Sequence, residues 1–231
     1  MERLDKIISN SGYCSRKQCG KLAREGLITV DGQVVRMLDT KVPESAVIAI
    51  DGQILERRRR IVCILNKPQG FVTSTEDDRS RTVMELLPES LLAQKVLPAG
   101  RLDKDTEGLL VFTNDGDLLH RLISPKSDVT KEYYIEYEGT LQPDAPERAK
   151  EGITLRDGSI CKSADLKILD GNRCTICISQ GMYHQVKRMI AALGAHVTFL
   201  RRTRIGALEI GDLKTGEVRE LSQKEAESLF L

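Results

Sequence analysis

Apolar and polar positions in the first 56 residues predict two short helices followed by a hairpin. Residues 3–10 place apolar side chains on one helical face, at Leu4, Ile7 and Ile8. A second helix is predicted over residues 16–25, with Ser15 as its N-cap and Gly26 as its end. Two short strands then flank the dipeptide Asp31-Gly32, which favours a tight hairpin. Residues 1–56 are therefore predicted to form a compact helix-helix-hairpin domain.

The remainder of the chain predicts an α+β body over residues 61–231. Strand-like and helix-like segments alternate there without the regular repetition of a parallel doubly wound sheet. Polar and apolar positions alternate over residues 131–137 and around Cys174, which predicts strands, and residues 196–200 predict another. A helix is predicted over residues 183–193, with its apolar stripe ending at Gly194. Residues 57–60 are four arginines and are predicted to be a basic linker.

Charge is distributed unevenly along the chain. The 231 residues have a formal net charge of +1, but residues 1–60 carry 12 Lys or Arg against 8 Asp or Glu. On the second predicted helix, Lys17, Lys21 and Arg24 share one face at helical spacing. A cationic face of this kind suits the phosphates of a nucleic acid, and a solvated helix face is the alternative.

Cysteine spacing and hydropathy argue against a metal-binding protein and against a membrane protein. Cys174 and Cys177 form the one close pair among six cysteines, but an offset of three within a strand directs them to opposite faces. We therefore predict reduced thiols and no metal site. The apolar runs are far shorter than the roughly 20 residues of a membrane span, so no membrane association is expected. The chain is expected to be soluble and cytoplasmic.

A polar turn before an apolar strand contains the strongest candidate for chemistry. Gly100 precedes Arg101 and Asp103, and Gly108 precedes the apolar run over residues 109–112. Packing alone does not require a glycine, an arginine and a carboxylate at these positions. In a desolvated pocket a carboxylate takes up a proton unless a cation lies nearby, so a partner lysine or arginine is expected.

Two segments carry a resemblance to known families. The segment GRLDKDTEGLL, residues 100–110, resembles the central motif of RsuA-type pseudouridine synthases, and the pattern of residues 3–32 resembles the RNA-binding S4 domain. The resemblance implies a mixed, mainly antiparallel sheet for a catalytic domain over residues 61–231. It implies that Asp103 is the catalytic residue and that no cofactor is needed, because the isomerisation involves no net redox change. It also implies RNA contacts from the S4-like domain, made by Arg16, Lys17, Lys21 and Arg24.

By the same resemblance, three further side chains belong to the site. Lys187, in the segment HQVKRM, would keep Asp103 ionised, with Arg188 as the weaker alternative. Tyr133, in the segment KEY, would stack on the target uracil. Arg101 would hold the everted nucleotide or fill its vacated place, unless it forms a salt bridge within the loop.

Other segments receive weaker interpretations. Lys67-Pro68 resembles an opening motif of the family that braces the floor of the site. The resemblance implies that residues 201–206 lie near bound RNA, and a solvated basic patch is the alternative. His184 is interpreted as a polar structural residue, near the site at most. Asp105 and Glu107 offer an acid and base pair as in glycoside hydrolysis, but their positions within one loop disfavour the opposed geometry which that reaction needs.

The function implied is the site-specific isomerisation of a uridine to pseudouridine in 16S rRNA, after the base has left the RNA stack. Enzymes of this type that act on 16S rRNA are about this long and carry the basic N-terminal module. The alternatives are a pseudouridine synthase acting on 23S rRNA and a non-catalytic RNA-binding ribosome assembly factor. The expected partner is 16S rRNA or a small-subunit assembly intermediate, bound by a monomer.

Overall fold

The computed structural model describes residues 1–11, 13–56 and 60–231, and the chain divides into two compact units, Met1–Arg59 and Arg60–Leu231. Three of the four arginines of the predicted linker, residues 57–59, lie outside the described residues. None of the helices in the described ranges is long and apolar enough to cross a membrane.

The first unit consists of two helices and short antiparallel strands. Its elements are β1 (Glu2–Arg3), α1 (Leu4–Ser11), α2 (Arg16–Arg24), β2 (Ile28–Val30), β3 (Gln33–Val34), β4 (Lys41–Val42), β5 (Ile48–Ile50) and β6 (Gln53–Ile54). The predicted hairpin is β2 and β3, which β5 and β6 extend to a four-stranded sheet in the order β3-β2-β5-β6. Ser15 caps α2 through a capping box with Gln18, as its position before the helix predicted. The helix-helix-hairpin prediction is confirmed.

The second unit is built on one large mixed sheet with helices on its faces. Its elements are β7 (Val62–Lys67), α3 (Glu89–Ala93), β8 (Leu97–Pro98), β9 (Glu107–Thr113), α4 (Gly116–Ile123), β10 (Lys131–Gly139), α5 (Ala145–Glu151), β11 (Asp165–Leu169), β12 (Arg173–Ile178), α6 (Gln185–Ala192), β13 (Ala195–Ile205), β14 (Leu208–Glu209), β15 (Val218–Glu220) and α7 (Gln223–Ser228). A 3-10 turn spans Val83–Leu86.

The strand order of the large sheet is β11-β12-β10-β13-β9-β7-β15, with β8 paired to β9 and β14 paired to β13. Neighbouring strands are antiparallel except β9 and β13, which run parallel. The predicted fold class, α+β with a mainly antiparallel sheet, is therefore confirmed.

The centre of the sheet is buried on both faces. In β9, Leu110 and Phe112 join the apolar cluster on one face, while Leu109 and Val111 join the cluster on the other. Helix α6 packs into the first cluster and α4 into the second. Burial on both faces explains the continuous apolar run of β9, because a strand with one face exposed to solvent would alternate apolar and polar residues.

Two differences between predicted and observed bounds concern the segments around the site. Helix α6 begins at Gln185 and not at residue 183, because His184 adopts the left-handed conformation with φ 47° and ψ 34°. Strand β13 continues through residues 201–205, so a segment predicted either to lie near RNA or to form a solvated basic patch is paired with β9 and β10 in the sheet. Its proximity to RNA stays a prediction. Arg202 in particular is buried, with 3% of its surface exposed.

Gly108 lets β9 and β13 approach each other closely. Its φ is +103°, and a Cβ at this position would lie 2.2 Å from the carbonyl oxygen of Arg202. Arg202 is also the residue that pairs with Gly108 in the parallel ladder. A side chain at residue 108 is therefore excluded by backbone strain and by collision with backbone, which cannot move aside as a flexible side chain would.

We predict that Gly108→Ala lowers the free energy of unfolding of the second unit by about 3 kcal/mol or more, because it combines a strained φ with a backbone collision. The measurement is urea unfolding followed by circular dichroism. Gly116→Ala is the matched control, because a Cβ at Gly116 meets nothing within 4 Å and the residue is helical. Equal stability of the two variants would contradict this account of the β9–β13 junction.

Candidate active site

Asp103 lies in the loop between β8 and β9, and its neighbours in this loop are fixed by backbone hydrogen bonds. The N–H of Thr106 donates to the carbonyl of Asp103 at 3.1 Å, which closes the turn. Thr73 Oγ1 donates to the carbonyl of Leu102 at 2.8 Å and accepts from its N–H at 3.1 Å. The loop therefore presents the Asp103 carboxylate, 29% exposed, from a rigid backbone.

Lys67, on the neighbouring strand β7, anchors this loop through hydrogen bonds to its backbone carbonyls. Its side chain is fully buried at the end of β7, and Nζ donates to the carbonyls of Thr106 (2.8 Å), Asp103 (3.1 Å) and Lys104 (3.4 Å) and of its own neighbour Pro68 (2.9 Å). Burial lowers the pKa of Lys67 to about 8, against the opposing pull of nearby carboxylates. One ammonium group thus ties three carbonyls of the Asp103 loop to the sheet.

Two basic side chains from the start of α6 face the Asp103 carboxylate. Lys187 Nζ lies 3.7 Å from Oδ2 of Asp103, and His184 Nε2 lies 3.5 Å from Oδ1. The structure thus brings the predicted carboxylate and the predicted cation together, across 84 positions of sequence. It adds an imidazole that the sequence interpretation treated as structural.

Lys187 is shared between two carboxylates. Its Nζ donates to Asp105 Oδ1 at 2.6 Å, a shorter contact than the one to Asp103. Partial burial alone would raise the pKa of Asp105, but the hydrogen bond and charge of Lys187 lower it below its ordinary value. The neighbouring cation, Arg188, turns away and pairs with Asp157 at 2.5 Å. Lys187 is therefore the α6 cation of the site.

His184 is held in place by its left-handed backbone. Such a conformation in a residue with a Cβ costs on the order of 1–3 kcal/mol and persists where the surroundings impose it. Here the buried Gln185 closes the turn that contains His184. Its Oε1 accepts from the N–H of Met182 at 2.9 Å, and its own N–H donates to the carbonyl of Met182 at 3.2 Å. The sequence carried one signal for this residue, its place three positions before Lys187.

Tyr133 lies on β10 with its ring in the sheet core, 8% exposed, and its hydroxyl accepts a hydrogen bond from Arg202 Nη1 at 3.4 Å. No ring contact or hydrogen bond joins Tyr133 to Asp103 or Lys187 among the described residues. Tyr134 points to the opposite strand face, as the period of two predicted, where its hydroxyl contacts Glu136 at 3.0 Å. Sequence reasoning included Arg202 in the basic segment and did not identify it as the partner of Tyr133; its Nε also donates to the carbonyl of Leu109 at 2.7 Å.

Arg101 is exposed, and within the described part of the chain its side chain makes no hydrogen bond or ion pair. In the first unit, Lys17, Lys21 and Arg24 are exposed on α2, and Lys21 lies 3.8 Å from Glu25. The side chain of Arg16, predicted to join them, lies outside the described part of the structure. Across residues 1–11, 13–56 and 60–231 no group of three or more His, Cys, Asp or Glu side chains could hold a metal ion.

A partly exposed carboxylate on an anchored loop, faced by an ammonium and an imidazole, is a candidate site for chemistry that uses an ionised oxygen. Comparison with known proteins identifies its family. Residues 61–192 match the model of the RNA pseudouridylate synthases, and residues 2–48 match the S4 domain.

Relatives cover nearly the whole chain. It is 39% identical to the ribosomal small subunit pseudouridine synthase A of Escherichia coli, over 98% of this chain and 99% of that protein. It is 35% identical to the ribosomal large subunit pseudouridine synthase B of Bacillus subtilis, over 99% of this chain and 96% of that protein. A crystal structure of a pseudouridylate synthase superposes with a TM-score of 0.71 at 36% identity, over 99% of this chain and 100% of that one. The chain belongs to the RNA pseudouridylate synthase family and is an isomerase with an N-terminal S4 domain.

We predict that the buried Lys67 ammonium makes stability depend on pH above neutrality. Its pKa is about 8 in the folded chain and 10.5 ordinarily, so between these values the unfolded chain binds a proton that the folded chain does not. The free energy of unfolding should therefore rise with pH through this window, relative to Lys67→Met, by up to about 3 kcal/mol. Urea unfolding at pH 7.5, 9 and 10.5 measures the difference.

Lys150→Met is the control for that titration, because Lys150 is an exposed lysine on α5. Its free energy of unfolding should run parallel to that of the wild type across the same pH range. If Lys67→Met also runs parallel to the wild type, the buried ammonium is not the group that titrates.

Proposed function

We propose that this chain converts one uridine of 16S rRNA to pseudouridine, with Asp103 as the catalytic group. The observation that carries the proposal is the Asp103 carboxylate on its anchored loop, with Lys187 Nζ 3.7 Å away and His184 Nε2 3.5 Å away. The reaction breaks the bond from uracil N1 to ribose C1′ and forms the bond from C5 to C1′. The C5 proton leaves and N1 gains a proton, so the step needs no oxidant and no cofactor.

The site supplies an ionised oxygen where the reaction needs one. Asp103 acts either as a nucleophile or as a base that stabilises positive charge at C1′, and both roles require the carboxylate form. Lys187 places a positive charge 3.7 Å from that carboxylate. The partial exposure of Asp103 leaves room for a uridine that has left the RNA stack, which is how enzymes reach an atom buried between bases.

Tyr133 and Arg101 complete the proposed nucleotide site. Tyr133 would offer its ring to the uracil, where stacking on an aromatic is worth about 1–3 kcal/mol and tolerates rotation of the base. Its hydrogen bond with Arg202 fixes the ring in β10. Arg101 is exposed with no ionic partner among the described residues, which leaves its guanidinium available to the everted nucleotide or a phosphate.

The S4 domain is proposed to hold the RNA through phosphates. Arg16, Lys17, Lys21 and Arg24 on α2 would contact the backbone of the RNA without reading its sequence. We propose that the protein acts as a cytoplasmic monomer on 16S rRNA or on a small-subunit assembly intermediate. The choice of 16S rRNA rests on the relative of 39% identity, which is a small subunit enzyme. The large subunit relative at 35% identity supports 23S rRNA as the second candidate.

We predict that the wild-type protein releases tritium from 16S rRNA labelled at uracil C5 and that Asp103→Asn releases none above background, because an amide cannot supply the ionised oxygen. The rRNA is prepared from cells that lack this protein, so that the target uridine is still unmodified. Equal release by both proteins would refute the role of Asp103. Release from 23S rRNA alone would refute 16S rRNA as the substrate and support 23S rRNA. Release from neither rRNA would refute the proposed function and favour the non-catalytic assembly factor.

We predict that Lys187→Met lowers the rate of tritium release at neutral pH at least about tenfold, because the positive charge 3.7 Å from the Asp103 carboxylate is lost. Lys187→Arg should retain more activity than Lys187→Met, since it restores a positive charge. Arg188→Met is the matched control and should lower the rate less, because Arg188 pairs with Asp157 and not with Asp103. A Lys187→Met variant as active as the wild type would refute the role of Lys187.

A further inference from the structure

Tyr183 is an exposed aromatic side chain beside the catalytic carboxylate. Within residues 60–231 it is the sole aromatic among the exposed large apolar side chains, with 78% of its surface accessible. Its ring stacks on the imidazole of His184, with centroids 3.9 Å apart and planes 18° from parallel. The same imidazole lies 3.5 Å from Asp103. Two stacked rings therefore lead from the carboxylate to the solvent.

This pair of rings is built into the fold. The carbonyl of Tyr183 accepts a hydrogen bond from Arg188 Nη1 at 3.3 Å, and the Arg188 guanidinium is itself held by Asp157. The buried Gln185 closes the turn that carries both rings through its hydrogen bonds with Met182. The backbone of Tyr183 is therefore held in place, and the ring contacts the imidazole of His184 on one face. Among the described residues, no ring or cation packs over its other face.

We propose that the outer face of Tyr183 is a stacking site for a nucleobase of the substrate RNA adjacent to the everted uridine. This inference rests on the proposed function of Asp103. A flat ring that is open on one side binds any base through its π-face, and single-stranded RNA is commonly held by bases splayed onto aromatic side chains. Because Tyr183 lies one stacked ring beyond the imidazole at Asp103, a base placed there belongs to a nucleotide near the reacting one.

The kinetic test compares Tyr183→Ala and Tyr183→Phe, with tritium release from labelled rRNA of cells lacking this protein as the assay. Loss of the ring should raise KM about tenfold with kcat within about twofold of the wild type, because the stacked base is bound equally before and during the reaction. Tyr183→Phe should keep the wild-type KM, because the ring and not the hydroxyl carries the stack.

Three results would overturn the stacking site. An unchanged KM in Tyr183→Ala would show that no base stacks there. A Tyr183→Phe variant as defective as Tyr183→Ala would show that the hydroxyl is the contact. A fall in kcat alone would mean that the ring merely orders His184. A wild-type protein that releases no tritium from any rRNA would instead refute the proposed function, so the two failures are distinguishable.

A direct binding measurement uses the absence of tryptophan from the chain. Tyr183→Trp introduces a single indole at the proposed site, and Ile123→Trp introduces one at the end of α4, which packs on the opposite face of the sheet. Titration with unmodified rRNA should quench the emission of Tyr183→Trp at least about twofold and leave that of Ile123→Trp nearly unchanged. Equal quenching of the two variants, or none in either, would overturn the inference.

Discussion

The site depends on one buried ammonium group. The side chain of Lys67 is fully buried at the end of β7. The desolvation of a buried cation costs on the order of several kcal/mol unless polar groups replace the lost hydration. The carbonyls of Asp103, Lys104 and Thr106 provide that replacement. The same contacts fix the backbone from which the Asp103 carboxylate projects. The free energy cost of burying this lysine is thereby coupled to the geometry of the catalytic loop.

The parallel pairing of β9 and β13 brings the two halves of the site together. The first residues of β9, Glu107 and Gly108, pair with Arg201 and Arg202 in the middle of β13. The segments that precede the two strands, the Asp103 loop before β9 and helix α6 before β13, meet at the site, where Lys187 lies 3.7 Å from Asp103. Gly108 makes the junction possible, because a Cβ would collide with the carbonyl of Arg202. In a sheet that is otherwise antiparallel, this single parallel pair places Lys187 and His184 beside Asp103.

The charge balance of the site is set by one lysine that faces two carboxylates. Lys187 hydrogen-bonds the exposed Asp105 at 2.6 Å and lies 3.7 Å from Asp103. A polyanionic substrate would approach this acidic loop unfavourably without further cations. Arg101 and Lys104 in the same loop are both exposed and offset part of that charge. The ring of Tyr183, stacked on His184, extends the site with an uncharged surface that faces the solvent.

The sequence by itself determined the local elements and marked the candidate reactive group. Ser15 marked the start of α2, the Asp31-Gly32 dipeptide marked the hairpin, and the turn ending at Gly108 singled out Asp103, because caps, turns and runs of apolar residues are short-range features of a chain. It did not predict that Arg202 is buried, because a run of basic residues looks solvated by composition, whereas β9 and β10 pair with both sides of β13 there.

Only the tertiary structure decided which groups face Asp103. Lys187 was nominated by resemblance, but its closer contact with Asp105, the approach of His184 and the burial of Lys67 depend on residues that are distant along the chain. No local pattern encodes such distances, since they follow from how the sheet orders its strands. Tyr183 illustrates the same limit. The sequence pattern predicts that Tyr183 lies in the first turn of a helix, whereas His184 adopts a left-handed backbone and the helix begins only at Gln185. Tyr183 thus precedes the helix, with its side chain exposed to the solvent.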